Sequence, residues 1–412
     1  MTEMLNQYAP IVGSNVIDHL RQLAEPLKGM KVMHVNSTRE GGGVAEILNR
    51  LIPLKQELGL DASWEIVAGD SQFYQCTKKM HNALQGNRSA ISNELLNHYE
   101  AVNGENYERL KNLLQEADIV FIHDPQPAPL LKYCQGRKGK WIWRCHIDAS
   151  RPFRQVWKYL QSLIRGYDAS IYSLPAFAQP MPHPLYIIPP SIDPLSDKNV
   201  ALDEAEIQGV CSGYGLDPER PIISQISRFD RFKDPVGVIR AYRMAKAFGP
   251  PLQLVLAGGT ASDDPEGEEV LAEVTTAAKD DPDVHVLLLP PDAHRTINAL
   301  QRLSTIVIQK SIKEGFGLTV TEALWKGRPV IGGDAGGIRL QVVNHQTGFL
   351  VNTAEGAALR IRYLLKHEDR RQEMGETARN FVMENYLLTR HLREYLTLMV
   401  AVIRNSSDRI EL

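Results

Sequence analysis

Cysteine is scarce: four residues in 412, Cys76, Cys134, Cys145 and Cys211, with no C-x-x-C pair and no regular framework. That excludes a disulfide scaffold, and the thiols read as reduced. No apolar run approaches the ~20 residues that a membrane span needs. The opening stretch, MTEMLNQYAPIVGS, lacks a basic segment followed by an apolar one, so no secretory signal is expected and the protein reads as cytoplasmic. The formal net charge is only −3 and no basic stripe stands out, which argues against nucleic acid as the main partner. The twelve histidines form no H-x3-H or H-E-x-x-H pair, so no metal site is expected. Low-complexity tails and short repeats are missing as well. What is present is an ordinary globular composition, 43% hydrophobic and 23% charged, on a chain long enough for two sizeable cores.

Short apolar runs alternate with longer helical patterns. The runs that read as strands are Met30–Val35, Ala62–Val67, Asp118–Ile122, Trp141–Arg144, Ala169–Tyr172 and Tyr186–Ile188. A second set comprises Ile222–Ile226, Leu252–Leu256, Val284–Leu289, Thr305–Ile308, Pro329–Ile331 and Gly348–Val351. Several are apolar almost throughout, as in a parallel sheet covered on both faces. Alternating β and α elements predict α/β architecture with doubly wound sheets, and two sets of strands predict two of them. Proline and polar residues cluster at Pro189–Asn199, which marks the break. Expected are a first Rossmann-like domain over 1–192 and a second over 193–385, facing across a cleft. An amphipathic helix at Thr389–Ile403, within the closing segment 386–412, is able to cross back to the first domain.

In open α/β sheets, ligands bind beyond the carboxyl ends of the strands. The oddly placed residues fall there: NSTREGGG after the first strand, HDPQP after the third and CHIDAS after the fourth. In the second half they are SRFDRFK, AGG, PPDAH, SIKEGFG and GGDAGG. Glycines before a helix opening at Val44 bare backbone N–H groups toward an anion or sugar, although a tight strand–helix turn needs glycine anyway. Arg228 and Lys233 form R-x4-K, two cations able to neutralise a diphosphate without a metal, or else a pair of solvated surface charges. Asp230, Arg231 and Asp234 beside them offer a local ion network as a further plain reading. The stretch KEGFGLTVTE predicts a turn and then a helix from Leu318 to Lys326, stopped by Gly327. Gly317, Leu318 and Thr319 then present N–H donors to a phosphate. Glu314 precedes the turn. Glu322 lies near the helix start, where the helix dipole favours an acid whatever the function. A glycosidase pair would need its carboxyls ~5–9.5 Å apart across one bond. Two acids flanking a phosphate seat suit the two ends of a nucleotide sugar better.

R-x4-K followed by E-x7-E within EGFGLTVTEALWKGRPVI resembles the retaining nucleotide-sugar glycosyltransferases of GT-B fold. More narrowly, HVNSTREGGGVAEILNRLIPL, HNALQG, HDPQPAPL, WRCHIDAS, PPSIDPLSDKN and DDPEG resemble the trehalose glycosyltransferring synthases. Those enzymes join an NDP-glucose to glucose, reversibly, giving α,α-trehalose and NDP. The resemblance implies that Arg228 and Lys233 hold the departing diphosphate and Glu314 the glucosyl hydroxyls. It implies that Gly42, Gly43, Gly317, Leu318 and Thr319 contact the donor and Glu322 its ribose, with the base near Leu289–Ala293. His146 would approach the donor sugar near O6 and steady positive charge at the anomeric carbon. Asn36, Asp124, Gln126 and Arg144 would hold the acceptor glucose. A nucleotide-sugar co-substrate (ADP-, UDP- or GDP-glucose), no tightly bound cofactor, no metal requirement and a homodimer are the remaining implications. The rival readings are a retaining trehalose phosphorylase, a GT-B epimerase and a non-catalytic sugar-nucleotide binder.

Overall fold

The computed structural model describes residues 3–39, 42–259 and 265–404. The chain forms two compact units, Met1–Pro190 with Leu388–Leu412, and Ser191–Leu387.

In the first unit, strands β1 (Lys31–Asn36), β2 (Asp61–Ile66), β3 (Ile119–His123), β4 (Lys140–Cys145), β5 (Ala169–Tyr172) and β6 (Leu185–Ile187) form one parallel sheet. Their order is β2-β1-β3-β4-β5-β6. All of β3 and nearly all of β4 are buried, as their IVFIH and KWIWRC sequences require of strands covered on both faces. Trp141, Trp143, Phe121 and Tyr172 fill the core, each such side chain adding about 1.5–3 kcal/mol on leaving water. The closing helix, Leu388–Ile403, belongs to this unit and lays Tyr395 against Phe121, ring centroids 5.1 Å apart.

The second unit repeats the plan with β7 (Ile222–Ile226), β8 (Gln253–Gly258), β9 (Val284–Leu288), β10 (Ile306–Gln309), β11 (Val330–Gly333) and β12 (Gly348–Val351). The strands are parallel in the order β12-β11-β10-β7-β8-β9. Val238, Ile239 and Tyr242 of the helix Pro235–Lys246 pack with Leu254, Leu256, Ile361 and Leu364 to make its core.

Each expected strand is found to within a residue or two at either end. The helix expected from Val44 begins two residues sooner, at Gly42, and the helix at Leu318–Trp325 stops at Gly327 in the left-handed conformation (φ 70°). Each sheet has one place where the chain's winding reverses: between β1 and β3 in the first, and between β7 and β10 in the second. In open α/β sheets the carboxyl ends of such strand pairs are where ligands bind.

Candidate active site

At the reversal in the second unit, the loops after β7 and β10 are stitched together. Ile312 N–H donates to Phe232 O at 2.7 Å, and Lys310 bonds Asp234. Asp234 takes a left-handed conformation (φ 49°) and caps the helix Pro235–Lys246 by accepting from Gly237 N–H. On this frame Lys233 Nζ meets Glu314 Oε2 at 2.7 Å, both side chains nearly buried at 15% and 10% exposure, and Ser311 Oγ donates to the same oxygen at 3.1 Å. A paired, hydrogen-bonded carboxylate of this kind is a positioned acceptor for sugar hydroxyls. The lysine is held where a phosphate would find it.

Glu314 is followed directly by the turn into Leu318–Trp325. Gly317 adopts φ 84°, and no side chain caps the helix; Val320 N–H donates back to Gly317 O at 2.9 Å, so Leu318 and Thr319 carry the leading N–H groups of its positive end. The β11 turn grips this segment: Gly337 N–H donates to Gly315 O at 2.9 Å and Gln341 Nε2 to Phe316 O at 2.6 Å. A Cβ on Gly336 (φ 47°) would lie 1.8 Å from the Glu314 carbonyl. Arg228 stands apart, 63% exposed and 3.8 Å from Asp230. Glu322 is 3% exposed, accepts from Gln301 Nε2 at 3.3 Å and lies one helical turn before Lys326, whose ammonium burial disfavours. Asp230 caps the Arg231–Lys233 turn, while Arg231 pairs with Glu269 and Glu273, so the cations of this loop have separate partners.

The first unit's site is of another kind. After β3, Asp124 takes a left-handed conformation (φ 63°), and its carboxylate accepts from His146 N–H at 2.7 Å. Burial pushes the Asp124 carboxyl up to about 7, against the pull of that N–H and of Arg144. Arg144 is fully buried. Its Nη2 reaches Ser173 Oγ at 3.4 Å, while Nε and Nη1 have no hydrogen-bond partner. Asn36 is committed to local structure, accepting from Trp64 Nε1 at 2.8 Å and donating to Thr38 O at 2.8 Å. Gln126 engages through its backbone carbonyl, which accepts from Asn103. Gly42 and Gly43 open the helix Gly42–Glu57. Glu40 and Gly41 of the same loop, and Asp263 and Asp264 of DDPEG, lie outside the described residues.

His146 ends a file of buried groups that sequence reasoning missed. His146 Nε2 lies 3.0 Å from His123 Nδ1, His123 Nε2 lies 3.0 Å from His34 Nδ1, and His34 Nε2 lies 2.8 Å from Lys55 Nζ. Burial, then the Arg144 charge, holds His123 down at about 3 and His146 well below the usual histidine range. The available signals were polar letters at apolar positions: His34 inside β1, and Lys55 on the LIPLKQEL stretch of a core-facing helix. Among the described residues, no group of three or more His, Cys, Asp or Glu is arranged to hold a metal ion. No helix among them is long and apolar enough to cross a membrane.

Residues 34–179 match the family described as trehalose synthase, N-terminal domain, and residues 212–381 match glycosyl transferases group 1. The chain is 45% identical over 399 residues to a trehalose synthase of Pyrococcus horikoshii, covering 96% of this chain and 95% of that one. A trehalose phosphorylase of Pleurotus pulmonarius is more distant, 29% identical and covering 92% of this chain but 58% of its own. Among solved structures, an α,α-trehalose-phosphate synthase (UDP-forming) from Burkholderia xenovorans superposes with a TM-score of 0.69 at 14% identity, over 90% of this chain and 100% of that one. The two six-stranded parallel sheets and these similarities define a retaining glycosyltransferase enzyme of GT-B fold. Within that class, the chain belongs to the trehalose synthase family.

Proposed function

We propose that the protein transfers glucose from an NDP-glucose to free glucose with retention, forming α,α-trehalose and NDP reversibly. The observation that carries this reading is the Lys233–Glu314 pair set directly before an uncapped helix N-terminus. One short segment thus offers a sugar acceptor, a phosphate cation and backbone N–H donors. Arg228, exposed on the same loop, joins Lys233 on the diphosphate, with Leu318 and Thr319 N–H on its oxygens and Glu322 toward the ribose. In the first unit, Arg144 and Asp124 hold the acceptor, Gln126 lines its seat and Asn36 shapes the loop beneath. Gly42 and Gly43 approach the donor, and His146 faces its sugar. The leaving phosphate oxygen takes the acceptor's proton as the new bond forms on the same face. That leaves the enzyme needing cations more than a base. No resident cofactor or metal is required.

The test is a product assay with glucose and ADP-, UDP- or GDP-glucose in turn, and trehalose with inorganic phosphate in a parallel tube. Trehalose rising one-for-one with NDP supports the reading and ranks the nucleotides. Glucose 1-phosphate appearing only in the second tube would make the protein a phosphorylase and overturn it.

A further inference from the structure

The file Lys55–His34–His123–His146 contains four nitrogen-bearing groups joined by three short contacts, and each contact has room for one proton. A neutral imidazole donates from one nitrogen and accepts at the other, so the direction of one bond dictates the direction of the next. We propose that Lys55, His34 and His123 form a relay that sets the tautomer of His146, so that its Nδ1 is a donor when Lys55 is protonated and an acceptor when it is not. The proposal rests on the reading of His146 as a group that faces substrate.

With Lys55 as ammonium, its N–H donates to His34 Nε2, His34 Nδ1–H donates to His123 Nε2, and His123 Nδ1–H donates to His146 Nε2. His146 must then carry its own proton on Nδ1, the ring nitrogen outside the file. A neutral Lys55 amine offers a lone pair as well as N–H donors; when His34 Nε2–H donates to that lone pair, all three bonds reverse and His146 Nδ1 becomes a bare lone pair. A proton arriving at His146 Nδ1 converts the second state into the first. The Nε2 proton of His146 passes to His123 Nδ1, that of His123 to His34 Nδ1, and that of His34 to the Lys55 amine. One proton enters, one ammonium appears, and every imidazole ends neutral.

The surroundings fit a charge lodged at Lys55. Its Nζ lies 4.7 Å from the Phe121 ring centroid and 4.9 Å from that of Tyr395, two faces that attract a cation. Burial holds Lys55 well below the usual lysine range. At the other end, charge on the rings is opposed. Arg144, at the end of β4, lies in the electrostatic reach of His123, His146 and His391. Asp124, after β3, faces the same group. The closing helix contributes His391, bonded to Pro189 O, the Arg390–Glu394 pair and Tyr395, which stacks on His391 and His34. A switch of polarity thus gives His146 two hydrogen-bonding states without making it an imidazolium.

The experiment is nitrogen NMR of the full chain labelled at histidine, recorded across pH, with the His146 resonances assigned by their loss in His146→Asn. The expected result is a neutral His146 that passes from the Nδ1–H to the Nε2–H tautomer as pH rises, and a Lys55→Met variant in which that passage is lost. A single His146 tautomer at every pH, an imidazolium signature, or a Lys55→Met variant that still switches would each overturn the relay. The wild-type spectrum decides even if the variant folds poorly. Normal turnover in His146→Asn would defeat the substrate-facing reading separately, leaving the spectroscopic switch to be judged by itself.

Discussion

The two units share one sheet plan and solve opposite electrostatic problems. At the strand exits of the second, charges lie in a pair or in water: Lys233 and Glu314 meet at 2.7 Å, Arg228 is exposed, and a glycine turn leads into a helix with no side-chain cap. In the first, burial works against charge. Histidines are held neutral, Asp124 is drawn toward its protonated form, and Arg144 is fully buried beside them. The contrast matches what each half is proposed to hold, an anionic diphosphate in one and uncharged sugar hydroxyls in the other. A doubly wound sheet dictates where a site lies but leaves its polarity to the few residues at the strand exits.

The sharpest break in this comparison is Lys233→Ala. Removing a preorganised cation from a developing diphosphate should lower turnover by about 10²–10³-fold in the product assay. A variant with normal turnover would end the cation role. Next in size is Gly336→Ala, where a Cβ would strike the Glu314 carbonyl from a left-handed backbone. Strain and repacking together cost about 3 kcal/mol, read as a shifted denaturant midpoint.

The third prediction concerns pH. Folded His123, with its pKa near 3, stays neutral where the unfolded chain takes up a proton below ~6.5. Stability from this group is therefore complete above about 6.5 and lost as pH falls toward 3. His34, His146 and His391 act in the same direction, and so does Lys55 from its ordinary value downward. Asp124, raised to about 7, runs the other way between ~4 and 7, and one group is outvoted by five. Four of the five tryptophans, Trp64, Trp141, Trp143 and Trp157, lie in the first unit, so tryptophan fluorescence should show its urea midpoint dropping from pH 8 to pH 5. A flat midpoint would contradict the neutral-histidine account. The smallest effect is expected from Arg228→Ala on stability, within about 0.5 kcal/mol for so exposed a side chain, while the rate of trehalose formation falls. Thermal melts beside the product assay separate the two.

How far the sequence could be read follows the same divide. The second unit's site lies along the chain: KEGFGLTVTE carries the acid, the turn and the helix start in ten consecutive residues, and R-x4-K sits on one loop. Local spacing therefore grouped these residues, and the fold brings Lys233 and Glu314 together. The first unit's file depends on strand register. His34 pairs with Phe121 across β1 and β3, two places before His123, and Lys55 arrives from a helix a score of residues later. No linear motif encodes that meeting, so twelve histidines looked scattered. Asn36, read as a sugar contact from its place at a strand exit, is bonded to Trp64 and Thr38, partners that its position in the sequence did not reveal.

The grip of the β11 turn on the Glu314 turn has a consequence for anyone recombining such enzymes. Gly336 lies against the Glu314 backbone and Gly337 against both the backbone and the ring of Phe316, with no room for a Cβ at either glycine, so neither segment tolerates a stranger opposite it. Residues 311–317 and 332–341 behave as one heritable cassette. A chimera that imports one without the other inherits a misplaced acid, however faithfully every side chain in the site has been copied.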